Sequence, residues 1–121
     1  WADNVSTYNW NSNLYVPNNE WSMIAVTISA NSATAIDTFT ASIYRSAKYT
    51  VQASQGGNYQ AMEALVIHNN TTATITSYAI VQTSGNLGVL SASLTGGAVS
   101  VNFIAANAGT NVRISREYNI I

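Results

Sequence analysis

The sequence predicts an all-β protein, a single antiparallel β-sandwich of about eight strands preceded by an extended N-terminal arm. Three observations carry this. Apolar and polar residues alternate with period two in several segments, as in strands with one buried face. Turn signals built from Gly-Gly and Asn-rich runs separate those segments at short intervals. No stretch shows the apolar spacing of an amphipathic helix. A closed barrel or jelly roll is the alternative arrangement for the same strands.

The strands follow in order. Ile24, Val26 and Ile28 alternate with Ala25, Thr27 and Ser29. A second strand holds Ile36 and Phe39. Arg45 to Gln52 comes next, with Tyr49, Val51 and Ala53 on one face. Gln55-Gly56-Gly57-Asn58 is a hairpin signal, because paired glycines accept the positive φ of tight turns. Tyr59 to His68 contains the dense apolar run Ala64-Leu65-Val66-Ile67, and His68-Asn69-Asn70-Thr71 is a second turn. Thr72 to Thr83 is rich in β-branched and aromatic residues and reads as a long strand. After a loop at Ser84-Gly85-Asn86 and Gly88, Leu90, Ala92 and Leu94 alternate with Ser91, Ser93 and Thr95. Gly96-Gly97 reverses the chain into Val99, Val101 and Phe103, and Asn111 to Glu117 closes the fold with Val112 and Ile114 inward. The expected core is Val66, Leu90, Leu94, Val99, Val101, Phe103, Val112 and Ile114.

Residues 1–20 differ from the rest. They are rich in Asn and carry Trp1, Tyr8, Trp10, Leu14, Tyr15 and the only proline, Pro17. They are expected to form an arm, with residues 21–121 as the sandwich. Large rings of this kind dominate interfaces, so Trp1, Tyr8, Trp10 and Tyr15 are expected to dock on a neighbouring chain; the alternative is that they pack on their own domain as a first strand.

Composition narrows the function. The chain has 121 residues, of which 47% are hydrophobic and only 7% charged, against roughly 25% charged in an ordinary domain. Its polar surface is therefore Asn, Ser, Thr and Gln, which lets identical copies pack with little repulsion. The four cations, Arg45, Lys48, Arg113 and Arg116, are too few for a nucleic-acid groove. No apolar run has the length of a membrane helix, and no cysteine is available for a disulfide or thiolate site.

The catalytic supply is thin. The carboxylates Asp3, Glu20, Asp37, Glu63 and Glu117 are dispersed, and the one histidine, His68, reads as a solvated turn residue. No nucleophile elbow, phosphate-cradling loop or calcium loop occurs. The expectation is a chain that is not an enzyme and takes no cofactor or metal. Lys48 and Glu63 are expected as cross-strand partners. Arg113 and Arg116 are expected to pair with Glu117 or to lie at a subunit interface. Exposed aromatics beside amides suit sugars, so Trp10, and Tyr59 with Gln60, are candidate glycan contacts. Asn4, Asn69 and Asn70 match the glycosylation acceptor pattern, at a frequency expected by chance in so Asn-rich a chain.

Residues 36–121 also carry a resemblance. Ile36-Asp37-Thr38-Phe39 is followed by Tyr44-Arg45-Ser46-Ala47-Lys48-Tyr49, then by Glu63-Ala64-Leu65-Val66-Ile67-His68, the Leu87-Gly88 loop and the Gly96-Gly97 hairpin. Together these resemble a β-domain of virion structural and tail-fibre-like proteins of tailed phages, especially phages of marine cyanobacteria. Relatives tend to have Asp-Gly after the histidine, where this chain has Asn69-Asn70, and residues 1–20 lie outside the resemblance. It implies a structural protein of the phage particle, as a decoration, neck, baseplate or fibre component. Its partners would be itself, as a symmetric homo-oligomer and a trimer in a fibre, and other virion proteins. A glycan-binding receptor-tip module is the alternative, and a surface filament or pilus subunit the second; either would be extracellular.

Overall fold

The computed structural model describes residues 13–16, 19–28 and 33–121, with side chains at 27, 28 and 33–121. Every regular element among them is a strand. In chain order these are β1 (Asn13–Val16), β2 (Asn19–Ile28), β3 (Thr34–Thr40), β4 (Tyr44–Gln55), β5 (Asn58–His68), β6 (Ala73–Gln82), β7 (Gly88–Thr95), β8 (Ala98–Ala105) and β9 (Thr110–Ile120). They form two antiparallel sheets, one ordered β1-β2-β9-β4-β5-β6 and the other β3-β8-β7. The smaller sheet lies over the inner face of the larger, with β7 against β6 and β3 against β2. The expected β-sandwich is therefore the observed fold.

The two glycine hairpins fall where the sequence places them. Gly56 and Gly57 both have positive φ and join β4 to β5, with Gln55 opposite Asn58. Gly96 and Gly97 do the same between β7 and β8, with Thr95 opposite Ala98. Both positions of such a turn need the left-handed region, which costs glycine nothing. At the third hairpin Asn70 takes φ 73° in place of a glycine. Asn69 supports that turn, its Oδ1 accepting from the backbone N–H of Thr71 at 3.0 Å and of Thr72 at 2.8 Å.

Alternation then fills the space between the sheets. Ala47, Tyr49, Val51 and Ala53 of β4 point inward with Met62, Ala64 and Val66 of β5 and Val112, Ile114 and Tyr118 of β9. Val99, Val101, Phe103 and Ala105 of β8 meet them from the smaller sheet. Six of the eight expected core residues are buried, whereas Leu90 and Leu94 are only half-buried. They lie on β7, the edge of the smaller sheet, where one flank stays open.

Two departures concern pairing. Residues 13–16 and 19–20, expected within the arm, are strand: β1 pairs with β2 from Asn13 opposite Ser22, and β2 pairs with β9 along its whole length. Asn is a weak strand former, but an edge strand gains its ladder bonds from one neighbour whatever its side chains. Residues 1–12, with Trp1, Tyr8 and Trp10, lie outside the described residues. The second departure is a bulge in β3, where the register shifts between Ala35 and Asp37. The extra residue turns both Ile36 and Asp37 inward, so a carboxylate enters the core.

Candidate functional site

Polar chemistry gathers in three places. The first is the buried Asp37. Its carboxylate accepts from the Tyr49 hydroxyl at 2.7 Å, from the Tyr118 hydroxyl at 2.5 Å and from Arg116. Arg116 also stacks over the Tyr118 ring, 5.0 Å from its centroid. A buried carboxylate needs a counter-charge and donors, and β4 and β9 bring all three donors to one point. Burial, then the neighbouring Asp37 charge, pushes the Tyr49 hydroxyl well above the usual tyrosine range. This cluster clamps β3 to the large sheet. Arg116, expected at an interface or beside Glu117, instead turns onto Asp37, 79 residues away. Nothing in the residue spacing signals that meeting, although the three-residue step from Ile36 to Phe39 within one strand was a trace of the bulge.

The second place is the outer face near the β4–β5 hairpin. Tyr59 is 52% exposed and lines a cleft of about 290 Å³ with Gln52, Gln60, Ala61, Val81 and Thr83. Thr83 ties the end of β6 to it: the Tyr59 N–H donates to Thr83 Oγ1 at 2.9 Å. Gln60, expected to contact a glycan beside Tyr59, is 2% exposed and faces the core. Its Oε1 accepts from the Leu87 N–H at 2.7 Å and its Nε2 donates to the Gly88 carbonyl at 3.3 Å. The amide thus anchors the start of β7 and is spent. Adjacent strand residues face opposite ways, so the Tyr59 ring and the Gln60 amide point to opposite faces of the sheet. The exposed amide beside Tyr59 is that of Gln52, on the neighbouring strand.

The same outer face carries further uncovered apolar groups. Leu65 and Ile67 of β5 are 48% and 54% exposed, and Val81 of β6 is 68% exposed. The run Ala64-Leu65-Val66-Ile67 thus splits, Ala64 and Val66 into the core and Leu65 and Ile67 outward. Beside them Lys48 Nζ lies 4.0 Å from Glu63 Oε1, the expected cross-strand pair. Arg113 is exposed on β9. Tyr15 lies in β1, and its side chain is outside those described.

The third place is the opposite end of the sandwich. His68, expected to be solvated, is 3% exposed. Its Nδ1 accepts from the Asn70 N–H at 3.1 Å, which leaves the ring proton on Nε2 to donate to the Tyr44 carbonyl at 2.6 Å. The side chain folds under its own turn because its position on β5 faces inward, in step with Val66 and Ala64. Arg45 Nη1 donates to the His68 carbonyl at 3.0 Å and to Asn70 Oδ1 at 3.3 Å.

No protein-family model and no curated protein matches the chain. Solved structures do share its fold. The tailspike protein of Acinetobacter phage vB_ApiP_P1 superposes with a TM-score of 0.54 at 19% identity, over 93% of this chain and 24% of that one. The tailspike protein gp49 of Acinetobacter baumannii bacteriophage Fri1, described as a capsular polysaccharide depolymerase, superposes with a TM-score of 0.55 at 13% identity, over 99% of this chain and 21% of that one. The chain spans about a quarter or less of either tailspike. This comparison corrects the expectation of a non-enzymatic chain, because the fold occurs within an enzyme. Sparse titratable groups were a poor ground for that exclusion: glycoside cleavage needs only two carboxyl groups, and this fold brings together residues as distant in sequence as Asp37 and Arg116. What these comparisons share with the chain is a two-sheet β fold found within phage tailspikes.

Proposed function

We propose that the chain is a structural module of a phage tail fibre or tailspike, which packs against copies of itself through the outer face of its large sheet. The observation that carries this is a fold shared, over nearly the whole chain, with segments of two phage tailspikes. The surface supports it. Leu65, Ile67, Tyr59 and Val81 leave apolar area in water on one face, and such patches mark association surfaces. With 7% charged residues, little repulsion opposes contact between identical copies. On this reading the protein resides in the virion, its partners are itself and other tail proteins, and Arg113, exposed on β9, borders the contact. Mass spectrometry of purified particles, with antibody labelling of the tail, tests the assignment. The chain is expected among tail proteins, and its absence from particles would overturn the proposal.

A second reading, a glycan-binding module, is favoured by the Tyr59 cleft, where an exposed ring stands beside the Gln52 amide and the Thr83 hydroxyl. One of the fold neighbours is described as acting on capsular polysaccharide. On this reading Tyr59→Ala abolishes retention on a host-polysaccharide column while leaving the melting temperature within a few degrees. Unchanged retention would remove Tyr59 from consideration.

A further inference from the structure

Ala61 is the smallest side chain in a row that crosses three strands on the outer face. Gln52 of β4 pairs with Ala61 of β5, and Ala61 pairs with Val81 of β6. Directly opposed residues share a face of the sheet, and all three are exposed. Tyr59 stands two residues before Ala61 on β5, so its ring lies on that face too. A methyl group framed by an amide, an isopropyl group and a phenol ring makes a depression, and these four residues line the cleft of about 290 Å³. No charged residue lines it. Its polar groups are not equally available. The Gln60 amide is taken by the Leu87 N–H and the Gly88 carbonyl. The Thr83 hydroxyl accepts from the Tyr59 N–H and donates its one proton to the Tyr59 carbonyl at 3.3 Å. The Gln52 amide makes no hydrogen bond among the described residues.

The cleft therefore offers one free amide, an apolar floor and an open aromatic ring, and this set matches an acetamido sugar. A primary amide both donates and accepts, so Gln52 can pair with either the N–H or the carbonyl of an acetamido group. The acetamido methyl supplies apolar surface to cover Ala61 and Val81. The weakly positive C–H bonds on the face of the sugar ring meet the negative face of the Tyr59 ring. A hydroxyl in place of the acetamido group would lie against Ala61 and Val81 with no partner, at the cost of its water. A charged substituent would find no counter-ion in the lining. We propose that this cleft binds an N-acetylated sugar, with Tyr59 stacking on the ring, Gln52 pairing with the acetamido group, and Ala61 and Val81 receiving its methyl. The proposal rests on the glycan-binding reading of the Tyr59 cleft and adds to it the class of sugar.

Isothermal titration of the full chain tests it with two matched pairs of probes. Chitotetraose and cellotetraose differ only in carrying acetamido groups or hydroxyls, as do N-acetylgalactosamine and galactose. At least one acetamido probe should bind about tenfold or more tighter than its hydroxyl counterpart. Saturation-transfer NMR should place the strongest signal of that probe on its acetamido methyl. Gln52→Ala should bring its affinity down to about that of the counterpart, and Ala61→Leu, which fills the floor, should abolish the preference. Both positions are exposed, so circular dichroism melts should stay within a few degrees of wild type; should one variant fail to fold, the other decides. Tyr59→Ala should remove binding of every probe. Acetamido and hydroxyl sugars that bind equally well, and are both lost in Tyr59→Ala, would overturn the acetamido proposal and leave the glycan reading standing. A preference unmoved by Gln52→Ala and Ala61→Leu would also overturn the proposal alone. Absence of binding by all four probes, or binding unmoved by Tyr59→Ala, would overturn both.

Discussion

At the scale of single residues, Asp37 determines how the two sheets meet. It collects Tyr49, Tyr118 and Arg116 from the large sheet onto a strand of the small one. The raised ionisation of Tyr49 makes this network sensitive to alkali. In the unfolded chain the hydroxyl titrates near 10, as an ordinary tyrosine does, while in the folded chain burial and the Asp37 charge keep it protonated far above that. Above pH 10 the folded state therefore holds one more proton than the unfolded state. This stabilising contribution is complete below pH 10 and falls by about 1.4 kcal/mol for each further pH unit from this group. Tyr49→Phe should cost about 1 kcal/mol at pH 7 for the lost hydroxyl bond, and should flatten the decline measured by urea unfolding between pH 10 and 11. A decline as steep as in the wild type would show that Tyr49 does not carry it. None of this was legible in the sequence. Alternation placed Tyr49 on one face with Val51 and Ala53, and that face is the buried one, but the carboxylate that Tyr49 meets arrives through a bulge. His68 was misread for a related reason: a residue at the mouth of a turn can still hold the inward parity of its strand.

At the scale of elements, period two and turn chemistry carried most of the fold. The β7–β8 and β4–β5 hairpins follow from their glycines, and the inward set Val99, Val101 and Phe103 follows from alternation. The bulges do not, in β3 at Ile36, in β4 at Arg45 where the register with β9 shifts, and in β6 at Ala79 where the register with β5 shifts, because one extra residue in a strand leaves composition unchanged. Phe103 is fully buried between the sheets. Phe103→Ala should destabilise by about 3–5 kcal/mol and lower the melting temperature by more than about 10 °C; a shift of a degree or two would contradict the β8 register. Gly88 adds a demand that the sequence did not reveal. A Cβ there would collide with the Phe103 ring and come within 2.7 Å of the Ile104 carbonyl oxygen. Gly88→Ala should therefore cost about 1–3 kcal/mol through overpacking, in contrast to Gly85→Ala, whose added Cβ meets nothing and whose cost is only that of its positive φ. Thermal melts of the two variants side by side check this: Gly88→Ala should melt lower.

At the scale of the molecule, the sandwich has an inner face that is closed and an outer face that is not. Leu65 and Ile67 project from the middle of the large sheet next to Lys48 and Glu63, with Tyr59 and Val81 further along the same face. The apolar run from Ala64 was visible in the sequence, but only the sheet shows that half of it faces outward. Composition indicated a chain suited to packing against itself. It also misled, because scarcity of charge was taken to exclude enzymes, and a fold neighbour described as a depolymerase removes that exclusion. The central claim is that this outer face holds copies of the chain together. Native mass spectrometry of the full chain tests it most directly, comparing wild type with Leu65→Lys/Ile67→Lys. Both substitutions are at exposed positions, so the variant should keep a wild-type circular dichroism spectrum and a melting temperature within a few degrees. The account predicts a defined homo-oligomer for the wild type and a monomer for the variant; a monomeric wild type, or a variant that assembles as the wild type does, would contradict it.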